Sequence, residues 1–189
     1  MRYASTIMRI CSLLPGATEI AYALGLGDQI VGVTHECDYP PDAKLKPVMV
    51  HSAIDPRRMT SGEIDRKVAE FLQAGKGLYT IDVPAFTAAN PDVILTQGLC
   101  EVCALDHNEV VKAAAGLPRP PQIISLNPRN LNELLDDIAR VGAATARQTA
   151  AVELIAVLRR RIEQVAHREP DRRPRVVCLE WFEPLYSAG

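Results

Sequence analysis

The sequence has no run of about 18 apolar residues, the length a helix needs to cross a bilayer, so no helical membrane span is expected. It also lacks an excess of either charge. Its 21 Lys and Arg stand against 23 Asp and Glu, for a net charge of -2. That balance leaves no basic footprint for nucleic acid. Between Arg2, Arg9 and Pro15 there is no apolar stretch of roughly 7–15 residues, so no secretion signal is read, and the chain as written would be cytoplasmic. Cysteine is scarce and odd in number. The 5 cysteines include one close pair, which excludes a disulfide-scaffolded fold and suits a compartment of reduced thiols. No GxGxxG follows the first strand pattern, and Gly25-Leu26-Gly27 ends a helix instead of opening one, so there is no dinucleotide fingerprint. What is there is ordinary globular material, 48% hydrophobic and 23% charged, in 189 residues: one domain, or a domain and a fragment.

Strand and helix patterns alternate, which reads as an α/β fold with a parallel sheet flanked by helices. Residues 93–96 form a short apolar strand between Asn90-Pro91-Asp92 and Gly98. It opens into Gln97-Gly98-Leu99-Cys100-Glu101-Val102-Cys103, a loop with an amide, a carboxylate and two thiols. Ligands of open α/β sheets sit where loops leave the carboxyl ends of the strands, so this loop is the first candidate site. Strand patterns at 9–14 and 29–34 enclose a helix at 17–24, which makes one right-handed βαβ unit. Thr18 or Gly16 reads as the cap of that helix. The loops at 15–19 and 35–41 then leave the same edge as the Gln97 loop.

Further strands are expected at 46–50, 78–81 and 122–126, and further helices at 61–74, 83–89, 108–115 and 131–141. Ser61 reads as a cap whose capping-box glutamate falls one residue short, and the stretch from Gly142 to Ala146 as a helix break. The longest helical pattern, 147–168, spans roughly 30 Å at about 1.5 Å per residue. Its apolar stripe is Ala150, Leu154, Val157, Leu158, Ile162 and Val165. A last strand is expected at 175–180 with Cys178 in the core, then an aromatic loop from Trp181 to Tyr186. A domain-length helix feeding a lone strand reads as a bridge to a second lobe. That divides the chain into a lobe at 1–145, a bridging helix at 146–170 and the start of a truncated second lobe at 171–189.

Leu14-Pro15-Gly16-Ala17-Thr18-Glu19 follows the first strand, and Asp38-Tyr39-Pro40 follows the second. Asn90-Pro91-Asp92-Val93-Ile94 precedes the third edge loop, and the long helix leads to a strand ending in aromatics and Pro184. In this order and spacing the chain resembles the helical-backbone substrate-binding proteins of ABC importers. The likeness is to their cobalamin and iron-siderophore type, and most closely to the cobalamin-binding branch. It covers almost the whole chain but only the first of the family's two lobes. It implies Rossmann-like lobes joined by one helix, with ligand held in the cleft between them and no catalysis. The implied contacts are Pro15, Gly16, Ala17, Thr18, Glu36, Asp38, Tyr39, Gln97, Leu99 and Cys100 in the first lobe, and Trp181 and Phe182 at the start of the second. The implied ligand is cobalamin, haem or siderophore-bound iron, with no required cofactor. The implied partners are the importer's membrane subunits, and the family works outside the cytoplasm. Its docking glutamate has no counterpart near Asp82-Val83-Pro84. With half a clamp, the stripe of the long helix is expected to be partly uncovered and to pair with a second copy.

The thiols keep other readings open. Cys37, Cys100 and Cys103 could supply three thiolates to zinc or an iron–sulfur cluster, with His35, Glu36 and His51 near the same edge. Cys100 and Cys103 alone could be a redox pair or a disulfide, or simply packed thiols. Glu36, Asp38 and Glu101 have no nucleophile beside them and read as solvated carboxylates, so no catalysis is expected. His107 and Arg159-Arg160-Arg161 read as surface, and Cys11 as core. A scaffold fragment that binds no ligand is the remaining alternative.

Overall fold

The structure, a computed structural model, describes residues 7–98, 107–168 and 172–187. In chain order its elements are β1 (Ile10–Ser12), α1 (Pro15–Ala23), β2 (Ile30–Thr34), β3 (Val48–Ser52), α2 (Ser61–Gln73), β4 (Tyr79–Ile81), α3 (Val83–Ala89) and β5 (Val93–Thr96). There follow α4 (His107–Ala115), β6 (Gln122–Ser125), α5 (Leu131–Ala144), α6 (Gln148–Ala166), β7 (Leu179–Phe182) and β8 (Leu185–Ser187). The first six strands form one sheet in the order β4-β3-β2-β1-β5-β6. β1 pairs in parallel with both β2 and β5, so the chain builds outward from β1 in two directions. The crevice between the carboxyl ends of β1 and β5 is therefore the switch point of the sheet.

Side-chain alternation splits the core into two layers. Ile10, Val93, Leu95 and Ile124 pack with α1, α5 and α6 on one face. Cys11, Ile94 and Val50 pack with Phe86 of α3 and Val110 of α4 on the other. β1 is wholly buried, as a central strand covered on both faces must be.

β4 is the exception to the parallel sheet. It runs antiparallel to β3, with Tyr79 opposite Ser52 and Ile81 opposite Val50. Tyr79 thus starts at the edge where β3 ended. The intervening residues 53–78, α2 among them, make an excursion over that edge and do not cross the sheet. This is what gives the edge a wall.

Several local expectations are corrected. α1 begins with Pro15 in its first turn and Leu14 as N-cap, without a side-chain cap, so neither Thr18 nor Gly16 caps it. Proline suits this place because the amide it lacks would be unpaired there anyway. Thr60, not Ser61, caps α2, and its capping box with Glu63 is complete. α5 continues through Gly142 to Ala144 and then ends inside the break expected at 142–146, where Ala146 takes a positive φ; a Cβ at Gly142 would stand 2.5 Å from the Ala151 Cβ of α6. The glycine lets two helices touch and does not end one. The final strand starts at Leu179, and the expected aromatic loop is a hairpin in which Trp181 pairs with Tyr186. Cys178 is exposed, because none of the described residues covers the face it would need. On α6, Ala150, Leu154, Leu158 and Ile162 pack on the core, while Val157 and Val165 are exposed. No helix among the described residues is long and apolar enough to cross a membrane.

Candidate functional site

The loops after β1, β2, β3, β5 and β6 all leave one edge, and two concavities open there. The smaller, about 220 Å³, lies at the switch point and is lined by Leu14, Gly16, Ala17, Gln97, Asn127 and Pro128, among others. The Gly98 amide donates to Asn127 Oδ1 at 2.8 Å, which ties the β5 loop to the β6 loop. The first turn of α1 has no acidic residue and no side-chain cap, so its positive end is left to whatever enters the crevice.

The larger concavity, about 790 Å³, lies under the excursion that carries α2. That volume falls within the few hundred to about 1,000 Å³ of small-molecule sites. His35 and Glu36 at the end of β2 form one side and Ile64 and Val68 of α2 another. Tyr79 of β4 and Trp181 of the hairpin complete an apolar and aromatic lining. The α2 wall is held by its capping box: the Thr60 amide donates to Glu63 Oε2 at 2.7 Å, and the Glu63 amide to Thr60 Oγ1 at 3.3 Å. The Thr60 amide, and then the Thr60 hydroxyl, which donates to the same Oε2 at 2.9 Å, hold the Glu63 carboxyl below the usual carboxylate range. The hairpin reaches back to this wall, with the Tyr186 hydroxyl donating to Asp65 Oδ1 at 3.2 Å. That bond pushes the Tyr186 phenol up. At the rim, Arg57 Nε donates to Asp55 Oδ1 at 3.1 Å, which holds Asp55 down.

The expected contact residues do not gather at one place. Gly16, Ala17 and Gln97 line the smaller concavity, with Pro15 half-buried beside them. Glu36 and Trp181 line the larger one, and the Trp181 indole donates to the Glu183 carbonyl at 3.0 Å. Asp38, Tyr39 and Phe182 are exposed and line neither. Thr18 is fully buried and presents no surface to a ligand, which corrects its expected role as a contact. Its Oγ1 lies 2.8 Å from Ser12 Oγ and 3.1 Å from Cys37 Sγ.

Cys37 is likewise in the core, 4% exposed, which removes it from the open edge where a three-thiolate site would need it. Burial, and then proximity to Cys37, pushes the Cys11 thiol well above its ordinary value. Among the described residues no group of three His, Cys, Asp or Glu could hold a metal ion. Leu99, Cys100 and Cys103 lie outside the described residues.

Sequence reasoning passed over Tyr79, Ile64 and Val68. The signal available for Ile64 and Val68 was the helical spacing of Ile64, Val68, Phe71 and Leu72, which marks an apolar face that must be covered.

No family model matches the chain. The vitamin B12-binding protein of Vibrio cholerae serotype O1 is 35% identical over 109 residues, which cover 45% of this chain and 40% of that protein. The vitamin B12-binding protein of Yersinia pestis is 25% identical over 188 residues, covering 98% of this chain and 55% of that protein. Among solved structures, the periplasmic vitamin B12-binding protein of V. cholerae superposes with a TM-score of 0.64 at 24% identity, over 94% of this chain and 57% of that one. A periplasmic haem-binding protein from Roseiflexus sp. RS-1 gives 0.65 at 20% identity, over 92% and 55%. The chain is similar in sequence to vitamin B12-binding proteins and shares its fold with periplasmic proteins named for vitamin B12 and haem. It spans about half the length of the curated relatives it matches.

Proposed function

We propose that this chain is a ligand-binding half of an ABC-importer receptor, holding cobalamin or a related metal chelate at the carboxyl edge of its sheet. The observation that carries the reading is the concavity of about 790 Å³ with Tyr79 and Trp181 in its lining. A flat macrocycle needs apolar and aromatic surface with a few polar groups at the rim. Ile64, Val68, Tyr79 and Trp181 offer the first, and Glu36, Asp55 and Arg57 the second. The relatives named for vitamin B12 favour cobalamin within this class, and the fold neighbours named for haem and iron keep those ligands in it. Binding is reversible and makes no covalent bond, and the importer's membrane subunits are the partner. The site of action is outside the cytoplasm, as for the relatives named periplasmic.

The test is an absorbance and calorimetric titration of this chain with aquocobalamin and with haemin. Saturable binding of either at one equivalent is expected, weakened about tenfold by Trp181→Ala, as the loss of one good aromatic contact implies. Absence of saturable binding to both overturns the reading.

A further inference from the structure

We infer that His35 is an axial metal ligand for the chelate bound at this edge. The inference rests on the metal-chelate reading above and adds one coordinate bond to it.

His35 follows β2 directly and lines the larger concavity. Its Nδ1 lies 3.0 Å from the carbonyl oxygen of Val50, and its own backbone amide donates to the same oxygen at 3.2 Å. A carbonyl only accepts, so in the neutral ring the proton sits on Nδ1 and Nε2 carries the lone pair. Val50 is a buried residue of β3, so the imidazole is fastened to the sheet itself. The Tyr79 ring flanks it, with centroids 5.9 Å apart. Nε2 has one charged neighbour, Glu36 Oε1, at 3.7 Å, which is beyond hydrogen-bonding distance. The side chain keeps 29% of its surface exposed.

An imidazole whose Nδ1–H is held by a backbone carbonyl, with Nε2 free, is the arrangement that fixes ring orientation and raises basicity at metal-bound histidines. His51 lines the same concavity, but among the described residues no hydrogen bond orients its ring. A single nitrogen cannot hold a bare ion, which agrees with the absence of a three-ligand cluster among the described residues. It can complete the coordination of a metal that brings its own equatorial ligands. Iron or cobalt in a planar tetrapyrrole leaves axial positions for an imidazole nitrogen. A ferric ion wrapped by a hexadentate siderophore leaves none. The inference therefore narrows the ligand class to tetrapyrroles. In the step itself, the Nε2 lone pair forms the bond to the metal as an axial water leaves. No electron is transferred and no proton moves.

The experiment is a titration of this chain with haemin and with aquocobalamin, read by absorption and, for ferric haem, by electron paramagnetic resonance. A nitrogen-ligated signature is expected in the native chain. His35→Asn keeps an amide donor for the Val50 carbonyl and lacks Nε2. It is expected to unfold cooperatively like the native chain, to lose the signature, and to bind about tenfold more weakly or worse. Added imidazole is expected to restore the signature in His35→Ala, and His51→Ala to leave it unchanged. Native spectrum and affinity in His35→Asn would overturn the inference while the tetrapyrrole reading stands. Failure of the native chain to bind either probe would overturn both.

Discussion

Cys37, Thr18 and Ser12 form a polar node directly beneath the edge, joining β1, α1 and the loop after β2. Replacing Thr18 with Val removes the hydroxyl and leaves the buried Ser12 Oγ without its closest partner. A buried group left unpaired costs about 1–3 kcal/mol, so urea denaturation of Thr18→Val is expected to show a loss in that range. The same node decides thiol chemistry. Only the thiolate reacts, and both Cys11 and Cys37 are buried while Cys178 is exposed. With Cys100→Ser and Cys103→Ser in place, one thiol equivalent should react at once with a disulfide reagent and two only on unfolding. Three fast equivalents would contradict the buried node. The residue types of this edge were legible in the sequence, because loops after parallel strands must gather there. The direction of each side chain was not. Within His35-Glu36-Cys37-Asp38 the two cleft-lining residues, the core residue and the solvated one are consecutive, and no periodicity governs a loop.

At the scale of elements, α2 matters most, since it walls the larger concavity and is held at its start by Thr60 and Glu63. Thr60→Ala is expected to cost about 1 kcal/mol, the usual value of a lost N-cap, measured by denaturation. The linked pH effect has a definite sign. Glu63 is held below its ordinary value in the folded chain, so its stabilisation is present above the ordinary glutamate value and is lost as pH falls through the folded one. Melting temperature should therefore decline on acidification below the ordinary glutamate range, and less steeply in Glu63→Gln. An equal slope in that variant would assign the acid sensitivity elsewhere. Strands and long helices were readable because burial imposes their periods; the bounds expected for α3 and β5 agree with the structure. α5 does end within the break expected at 142–146, but Gly142 itself stays in the helix; a glycine that ends a helix and one that admits a neighbouring helix look alike in one dimension. Only the Ala151 methyl across the interface distinguishes them. Gly142→Ala forces α5 and α6 apart and is expected to destabilise by about 1–3 kcal/mol.

For the whole molecule, the question is how much binding one half can hold. The chain covers 55% of a vitamin B12-binding protein related to it along 98% of its length. If contacts divide evenly between two halves of a receptor, a nanomolar ligand worth about 12 kcal/mol keeps about 6 kcal/mol here, a dissociation constant of tens of micromolar. At about 1 mM ligand this raises stability by roughly 2 kcal/mol, through preferential binding to the folded state. For a chain of this size the melting temperature should rise by about 4–8 °C. Scanning fluorimetry with and without aquocobalamin measures it. A shift in this range, reduced in Trp181→Ala, fits an edge that supplies half of the contacts. A much larger shift with nanomolar affinity would mean that the concavity between α2, Tyr79 and Trp181 already holds the ligand completely. No shift at that concentration would mean that the chelate does not bind at this edge.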